Sequence, residues 1–134
     1  MPTLTEKDRE IFGGKSFAHL VTLMPDGSPH ASPVWVDLEG DTILINAAEG
    51  RVKTKNIRRD PRVAISILDS NQPYGAVVLV RGTVKEVTHE GADDHIDKLA
   101  KKYIDKDKYP WRSETEQRVI FKIEPQHVVH ANES

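Results

Sequence analysis

The chain has 134 residues, with 19 Lys and Arg against 21 Asp and Glu, for a formal net charge of −2. That length fits one domain spanning residues 1–134, since domains commonly run to about 100–150 residues, and the balanced charge argues against a general nucleic-acid binder, which carries a basic excess. The absence of cysteine excludes disulfides, thiolate metal sites and a Cys nucleophile, and the modest hydrophobic fraction, 37%, points to a small core or one completed by a partner subunit.

Met1 to Glu10 is polar and lacks the apolar run of a secretory signal. The longest strongly apolar run, Ala76 to Val80, is far too short to cross a bilayer. The expectation is a soluble, cytoplasmic protein with no membrane partner.

In chain order, Thr5-Glu6-Lys7-Asp8 reads as the start of a short helix, with Thr5 as N-cap and acids in the first turn. Gly13-Gly14 ends it. Ser16 to Met24 is rich in β-formers and predicts a strand. Pro25-Asp26-Gly27-Ser28 is a turn, because Pro fixes φ and Gly permits a positive one. Pro29 to Leu38 should pair back as the second strand, with Val34, Val36 and Leu38 on one face and Ala31, Pro33, Trp35 and Asp37 on the other. Pro33 has no N–H, so an edge or a bulge is expected there. Thr42 to Asn46 is a third strand and Gly50 to Arg59 a short, very basic helix, ended by Asp60-Pro61. Arg62 to Leu68 and Ala76 to Thr88 are further strands, the second bent or bulged at Gly82. Glu90 to Tyr103 is an amphipathic helix, with Ile96, Leu99, Ala100 and Tyr103 on one face. Asp105 to Thr115 is a charged, aromatic loop. Arg118 to Ile123 is a last strand, followed by Pro125 and a short Val128-Val129 segment. Antiparallel strands with short turns and few helices predict a mainly β fold, a small barrel with peripheral helices.

The densest chemical signal is the stretch Arg51 to Arg62, with cations at Arg51, Lys53, Lys55, Arg58, Arg59 and Arg62 and one acid, Asp60. Cations where a strand enters a helix, beside the free N–H groups of the helix start, make a phosphate site. A solvated basic face is the competing reading. A nucleic-acid groove is disfavoured, because no aromatic side chains interleave with the cations. Asn46 to Gly50, with its small residues, leads into this stretch and would let a planar ligand approach the backbone. The six histidines form no ligand spacing, so no metal site is expected. No G-x-S-x-G motif occurs, so a serine hydrolase has no support. Trp111, in Tyr109-Pro110-Trp111-Arg112, is an aromatic in a polar loop and must cover its own core, a partner or a ligand.

Together these segments resemble the pyridoxamine 5′-phosphate oxidase-like split-barrel superfamily, and more narrowly its branch that depends on the deazaflavin coenzyme F420. The residues that carry the resemblance are the Pro25 to Pro29 turn, Gly50 to Ile57 running on to Asp60-Pro61-Arg62-Val63, Val80-Arg81-Gly82-Thr83-Val84, and Tyr109 to Arg112 followed by Arg118-Val119-Ile120. The resemblance implies a six-stranded antiparallel split β-barrel, working as a homodimer with cofactor sites at the interface. It implies that Arg51 and Lys53, helped by Thr54, hold the cofactor phosphate, and that the ring lies around Ser32, Pro33, Val34, Trp35, Asn46 and Ala47. The partner chain would close the pocket with Tyr74 or Trp111. The extra cations Lys55, Arg58 and Arg59 are expected to meet the acidic tail of F420.

The sequence departs from the true pyridoxamine phosphate oxidases. Their Arg-x-x-Leu-Leu-Lys signature is replaced by His30-Ala31-Ser32-Pro33-Val34-Trp35, and their C-terminal Arg/His segment is absent. The function implied is therefore hydride transfer between F420 and an organic small-molecule acceptor. An FMN-dependent reductase on the same fold is the enzyme alternative. A flavin or deazaflavin carrier without turnover is the alternative outside enzymes, and a haem-binding barrel a further class that the histidines do not support. No catalytic acid or base stands out, with His30 the one candidate proton donor.

Overall fold

The computed structural model describes residues 4–71 and 76–130. It is mainly β, with seven strands in one curled antiparallel sheet that forms a half-barrel. Helix α1 (Glu6–Gly13) starts where the sequence places it: the Thr5 hydroxyl accepts from the Asp8 N–H at 3.0 Å, and the Asp8 carboxylate accepts from the Thr5 N–H at 3.0 Å. This reciprocal box satisfies two donors that a helix start leaves orphaned. Strands β1 (Ala18–Leu23) and β2 (Pro29–Val34) form the expected hairpin, and Gly27 adopts φ +85° in its turn. Then follow β3 (Val36–Glu39), β4 (Thr42–Ala48), α2 (Val52–Arg59), β5 (Arg62–Leu68), β6 (Val77–Thr88), α3 (Ala92–Ile104) and β7 (Arg118–His130).

The strand order is β2-β1-β5-β6-β7-β4-β3, so two consecutive strands occupy opposite edges of the sheet. The single strand expected over residues 29–38 is thus two, broken at Trp35, and the strand number is seven rather than six. Ahead of the break Val34 stands opposite Ala18 of β1; after it Val36 stands opposite Ile45 of β4. The break is held from outside the sheet. The Val36 N–H donates to the Tyr103 hydroxyl at 3.1 Å, and the Val36 carbonyl accepts from Lys102 Nζ at 2.6 Å. The Tyr103 hydroxyl itself donates to the Ser16 carbonyl at 2.8 Å, and burial pushes its phenol up to about 12.

A second correction concerns the C-terminal segment. The strand predicted to stop at Ile123 continues through Pro125 to His130 as β7. Proline fits because it faces Gly82, next to a register shift in the β6–β7 ladder. Gly82 is the bend the sequence predicts: a Cβ there would stand 2.4 Å from the Glu124 carbonyl oxygen.

The core lies inside the curl. Leu20, Val36, Ile43, Ile45, Ile65, Val80 and Phe121 are fully buried, and α1 closes it with Ile11 and Phe12. Helix α3 lays Ile96, Leu99, Ala100 and Tyr103 inward, as its apolar spacing predicts. Among the described residues no helix is long and apolar enough to cross a membrane.

Candidate functional site

Three pieces of chain meet at the break after β2. The first is the segment Pro33-Val34-Trp35. The second is the end of β4, Asn46 and Ala47, running through Gly50 (φ +85°) into Arg51 and α2. The third is Arg118, at the start of β7, which reaches the site because Arg118 pairs with Ala48 across the β4–β7 ladder. They enclose a cavity of about 230 Å³. Its wall on the helix side is Ile96, and its aromatic rim is Phe17, Tyr109 and Trp111.

One end of this cavity is cationic. Arg51, Lys53 and Arg118 all line it. Burial first, then the charges of Arg51 and Arg118, hold the Lys53 ammonium below the ordinary lysine range. Like charges gathered in a half-enclosed space repel, and an anion relieves that cost. The contrast along the basic stretch is informative. Arg58 pairs with Glu49 at 2.5 Å and Arg62 with Asp60 at 2.7 Å, while Arg59 donates to the Leu23 carbonyl and to Asn56. Among the described residues, Arg51 and Lys53 have no carboxylate partner; Lys53 Nζ donates only to Ser32 Oγ, at 3.3 Å. The α2 start beside them has no side-chain cap, so no side chain of the helix start occupies its first N–H groups. The basic stretch is therefore neither wholly a solvated face nor wholly a site. Two of its cations line the cavity, and Arg58, Arg59 and Arg62 are engaged within the chain.

The other end is aromatic. Trp35 stacks on Tyr103 with ring centres 5.2 Å apart and planes 5° from parallel. Tyr109 meets Trp35 edge-on at 6.1 Å, and Trp111 tilts over it at 6.4 Å. The loop that brings them is pinned to α3: the Tyr109 N–H donates to Asp97 at 2.9 Å, and Arg112 reaches Asp93 at 3.1 Å and Asp97 at 2.7 Å. Trp111 nevertheless stays 63% exposed and Phe17 57%.

Of the residues singled out in the sequence, Pro33, Val34, Trp35, Asn46, Ala47, Arg51, Lys53 and Trp111 line the cavity, and Ser32 touches it through Lys53. Thr54 does not. Its buried hydroxyl donates to the Ala48 carbonyl at 2.7 Å, tying the helix start to the end of β4. Trp111 lines the cavity of its own chain. Tyr74 lies outside the described residues. His30, the candidate proton donor, is on β2 opposite Thr22 and does not line the cavity. Phe17, Ile96, Tyr109 and Arg118 were not singled out as site residues. The only sequence sign for two of them was their place in the segments Tyr109 to Arg112 and Arg118 to Ile120.

The family model for pyridoxamine 5′-phosphate oxidase matches residues 4–131. Solved structures resemble the chain over nearly its whole length. An F420 reductase is 26% identical, with 90% of this chain and 94% of that one covered and a TM-score of 0.80. A hypothetical protein of Mycobacterium tuberculosis is 19% identical, covered at 96% and 84%, with a TM-score of 0.72. A HupZ variant from Group A Streptococcus is 18% identical, covered at 96% and 99%, with a TM-score of 0.69. At those last two identities the likeness speaks for the fold alone.

Proposed function

The chain belongs to the pyridoxamine 5′-phosphate oxidase family, and from that premise we propose that it is an oxidoreductase that uses F420 to pass hydride to an organic small-molecule acceptor. The observation that carries the reading is the meeting of Arg51, Lys53 and Arg118 in one cavity, with no carboxylate on the first two among the described residues. That is an anion site, and it lies beside an apolar, aromatic end formed by Phe17, Trp35, Tyr109 and Trp111. The likeness to an F420 reductase at 26% identity favours the deazaflavin over other cofactors.

Arg51, Lys53 and the start of α2 would hold the phosphate. Ala47 is small enough for a ring to approach the backbone of β4, and Trp35 and Trp111 would flank it. The bound cofactor supplies the hydride chemistry; the chain supplies binding, orientation and exclusion of water. No side chain in the cavity is assigned as a proton donor.

FMN is the second reading, and one observation favours it. Arg58 and Arg59 are occupied by Glu49, Leu23 and Asn56, so they are not waiting for an acidic coenzyme tail. FMN and F420 share the phosphate, which is the part the cavity addresses.

A second copy of the chain is part of the proposal. The cavity, at about 230 Å³, is smaller than the roughly 300–1,000 Å³ of sites that enclose a whole ligand, and Phe17 and Trp111 leave an apolar rim uncovered. On the outer side of the sheet, Val21, Ala64, Leu79 and Val129 line a separate groove of about 410 Å³ that a partner sheet could fill. Light scattering after gel filtration should give twice the chain mass.

The enzymatic claim is tested by mixing the protein with reduced F420 or reduced FMN and a quinone acceptor. Turnover, seen as return of oxidised-cofactor absorbance above the protein-free rate, is expected. Tight binding without turnover would make the protein a carrier.

A further inference from the structure

Between the cavity and α3 runs a set of buried polar side chains that cofactor binding alone does not require. Asn46 on β4 is 9% exposed and His95 on α3 8%. Asn46 Nδ2 donates to the Ala92 carbonyl at 2.9 Å, and Asn46 Oδ1 accepts from Arg118 Nε at 2.8 Å. A carbonyl can only accept and a guanidinium can only donate, so these two neighbours fix which end of the amide faces which. The second Nδ2 proton then points to His95 Nδ1, 3.1 Å away. That nitrogen must be bare. The ring proton of neutral His95 is therefore on Nε2, which faces Asp37 Oδ2 at 3.3 Å, and Asp37 in turn meets Lys98 at 3.1 Å.

Arg118 is the charged member of this set that lines the cavity, beside Asn46. It is held at three places: by Asn46, by an ion pair with Glu116, and by the face of Tyr109, 5.2 Å from its guanidinium carbon. Of these, only the Asn46 contact depends on the direction in which a neighbouring amide is turned. His95 is the third restraint on that amide: without an acceptor at Nδ1 the second Nδ2 proton would be buried unpaired, and the orientation would rest on Ala92 and Arg118 alone. A rotated amide would set NH2 against the guanidinium, donor against donor.

We infer that His95 is a positioning residue for the anion site: its bare Nδ1 locks the Asn46 amide, and the Asn46 carbonyl keeps the Arg118 guanidinium beside Lys53 and Arg51. The inference rests on the reading of the cavity as a phosphate-bearing cofactor site. Through this contact α3, which carries no cavity cation, sets the strength of the site.

Two substitutions of similar polarity separate this role from simple packing. His95→Asn places a carbonyl oxygen near the present position of Nδ1. His95→Gln places its polar end near Nε2 and leaves a methylene opposite Asn46. In titrations with FMN and with F420, His95→Asn should stay within about threefold of the parent affinity, and His95→Gln should lose about tenfold, the size of one hydrogen bond. Equal losses, or the reverse order, would overturn the proposal. A readout on the ligand-free protein accompanies it. Nitrogen-15 spectra should show the Nε2–H tautomer for His95, and a slowly exchanging Arg118 Nε–H in the parent and in His95→Asn but not in His95→Gln. An Nδ1–H tautomer, or an Arg118 signal unchanged in His95→Gln, would contradict it. Should the parent bind neither FMN nor F420, the cofactor reading falls, while the tautomer and the Arg118 signal still decide whether His95 fixes Asn46.

Discussion

Replacing Lys53 by Met should loosen the cofactor yet leave the ligand-free fold as stable as before or slightly firmer. The two effects have one cause. The ammonium is half-buried, and burial together with Arg51 and Arg118 lowers its pKa. A base whose pKa is lower in the folded state costs the folded protein free energy wherever it is protonated, at all pH values below its folded pKa. Methionine keeps the aliphatic stem and removes the charge, so the ligand-free protein loses a repulsion and only one hydrogen bond, the long 3.3 Å contact to Ser32. With a phosphate present the sign reverses. A charge-assisted hydrogen bond contributes about 1.5–3 kcal/mol, which corresponds to roughly a 10- to 150-fold weaker dissociation constant. The assay pairs a fluorescence titration with FMN and F420 against thermal unfolding of the ligand-free protein. A melting temperature equal to or above the parent, with affinity reduced in that range, is the expected pair. Unchanged affinity would refute the phosphate assignment. A large loss of stability would refute the claim that Lys53 is strained for function.

Four further outcomes follow from particular contacts. Gly82→Ala must move the Glu124 carbonyl, 2.4 Å from the new Cβ, and overpacking of that kind costs about 1–3 kcal/mol, read as a lower urea midpoint. Tyr103→Phe removes the acceptor for the Val36 N–H and the donor to Ser16; a buried group left unpaired costs about 1–3 kcal/mol, and the near-ultraviolet signal of Trp35, stacked on that ring, should change with it. Thr5→Ala removes the acceptor of the α1 cap and should cost about 1 kcal/mol in the same unfolding assay. Asp37 is partly buried, which raises its pKa, but the His95 ring and the Lys98 ammonium beside it outweigh this and hold the carboxyl well below the ordinary 3.8. Its contribution is full above that value and is lost as pH falls through the folded pKa. Asp37→Asn should therefore show a flatter loss of stability than the parent below about pH 4.

The parts of the site that are contiguous in the chain were legible. Pro33 to Trp35 announced itself as an irregular strand through proline, and Arg51 and Lys53 through charge at a strand–helix junction. What was not legible depends on pairing between distant strands. Arg118 binds Asn46 across 72 residues, and only the β4–β7 ladder brings them together; sequence spacing contains no trace of that register. Nor does charge alone tell Lys53, which lines the cavity, from Arg58, further along the same helix but paired to Glu49. For Thr54 the family resemblance implies a phosphate contact, whereas its buried hydroxyl donates to the Ala48 carbonyl, a local tie that sequence spacing does not show. The break at Trp35 was half visible. Proline predicted an irregularity, but the capture of Val36 by Tyr103 and Lys102, more than sixty residues away, is a tertiary contact. At Pro125 the sequence predicts the end of a strand, and its place opposite Gly82 lets the strand continue.

The central claim is that this cavity takes a phosphate-bearing flavin or deazaflavin. Both tryptophans of the chain, Trp35 and Trp111, line it, so intrinsic fluorescence reports on its occupancy. The most direct measurement is a side-by-side titration of the protein with F420 and FMN, following tryptophan quenching. Saturable quenching that ends at one cofactor per chain, tighter for F420 and sharply weakened by Lys53→Met, is the expected result. No saturable quenching by either compound would contradict it.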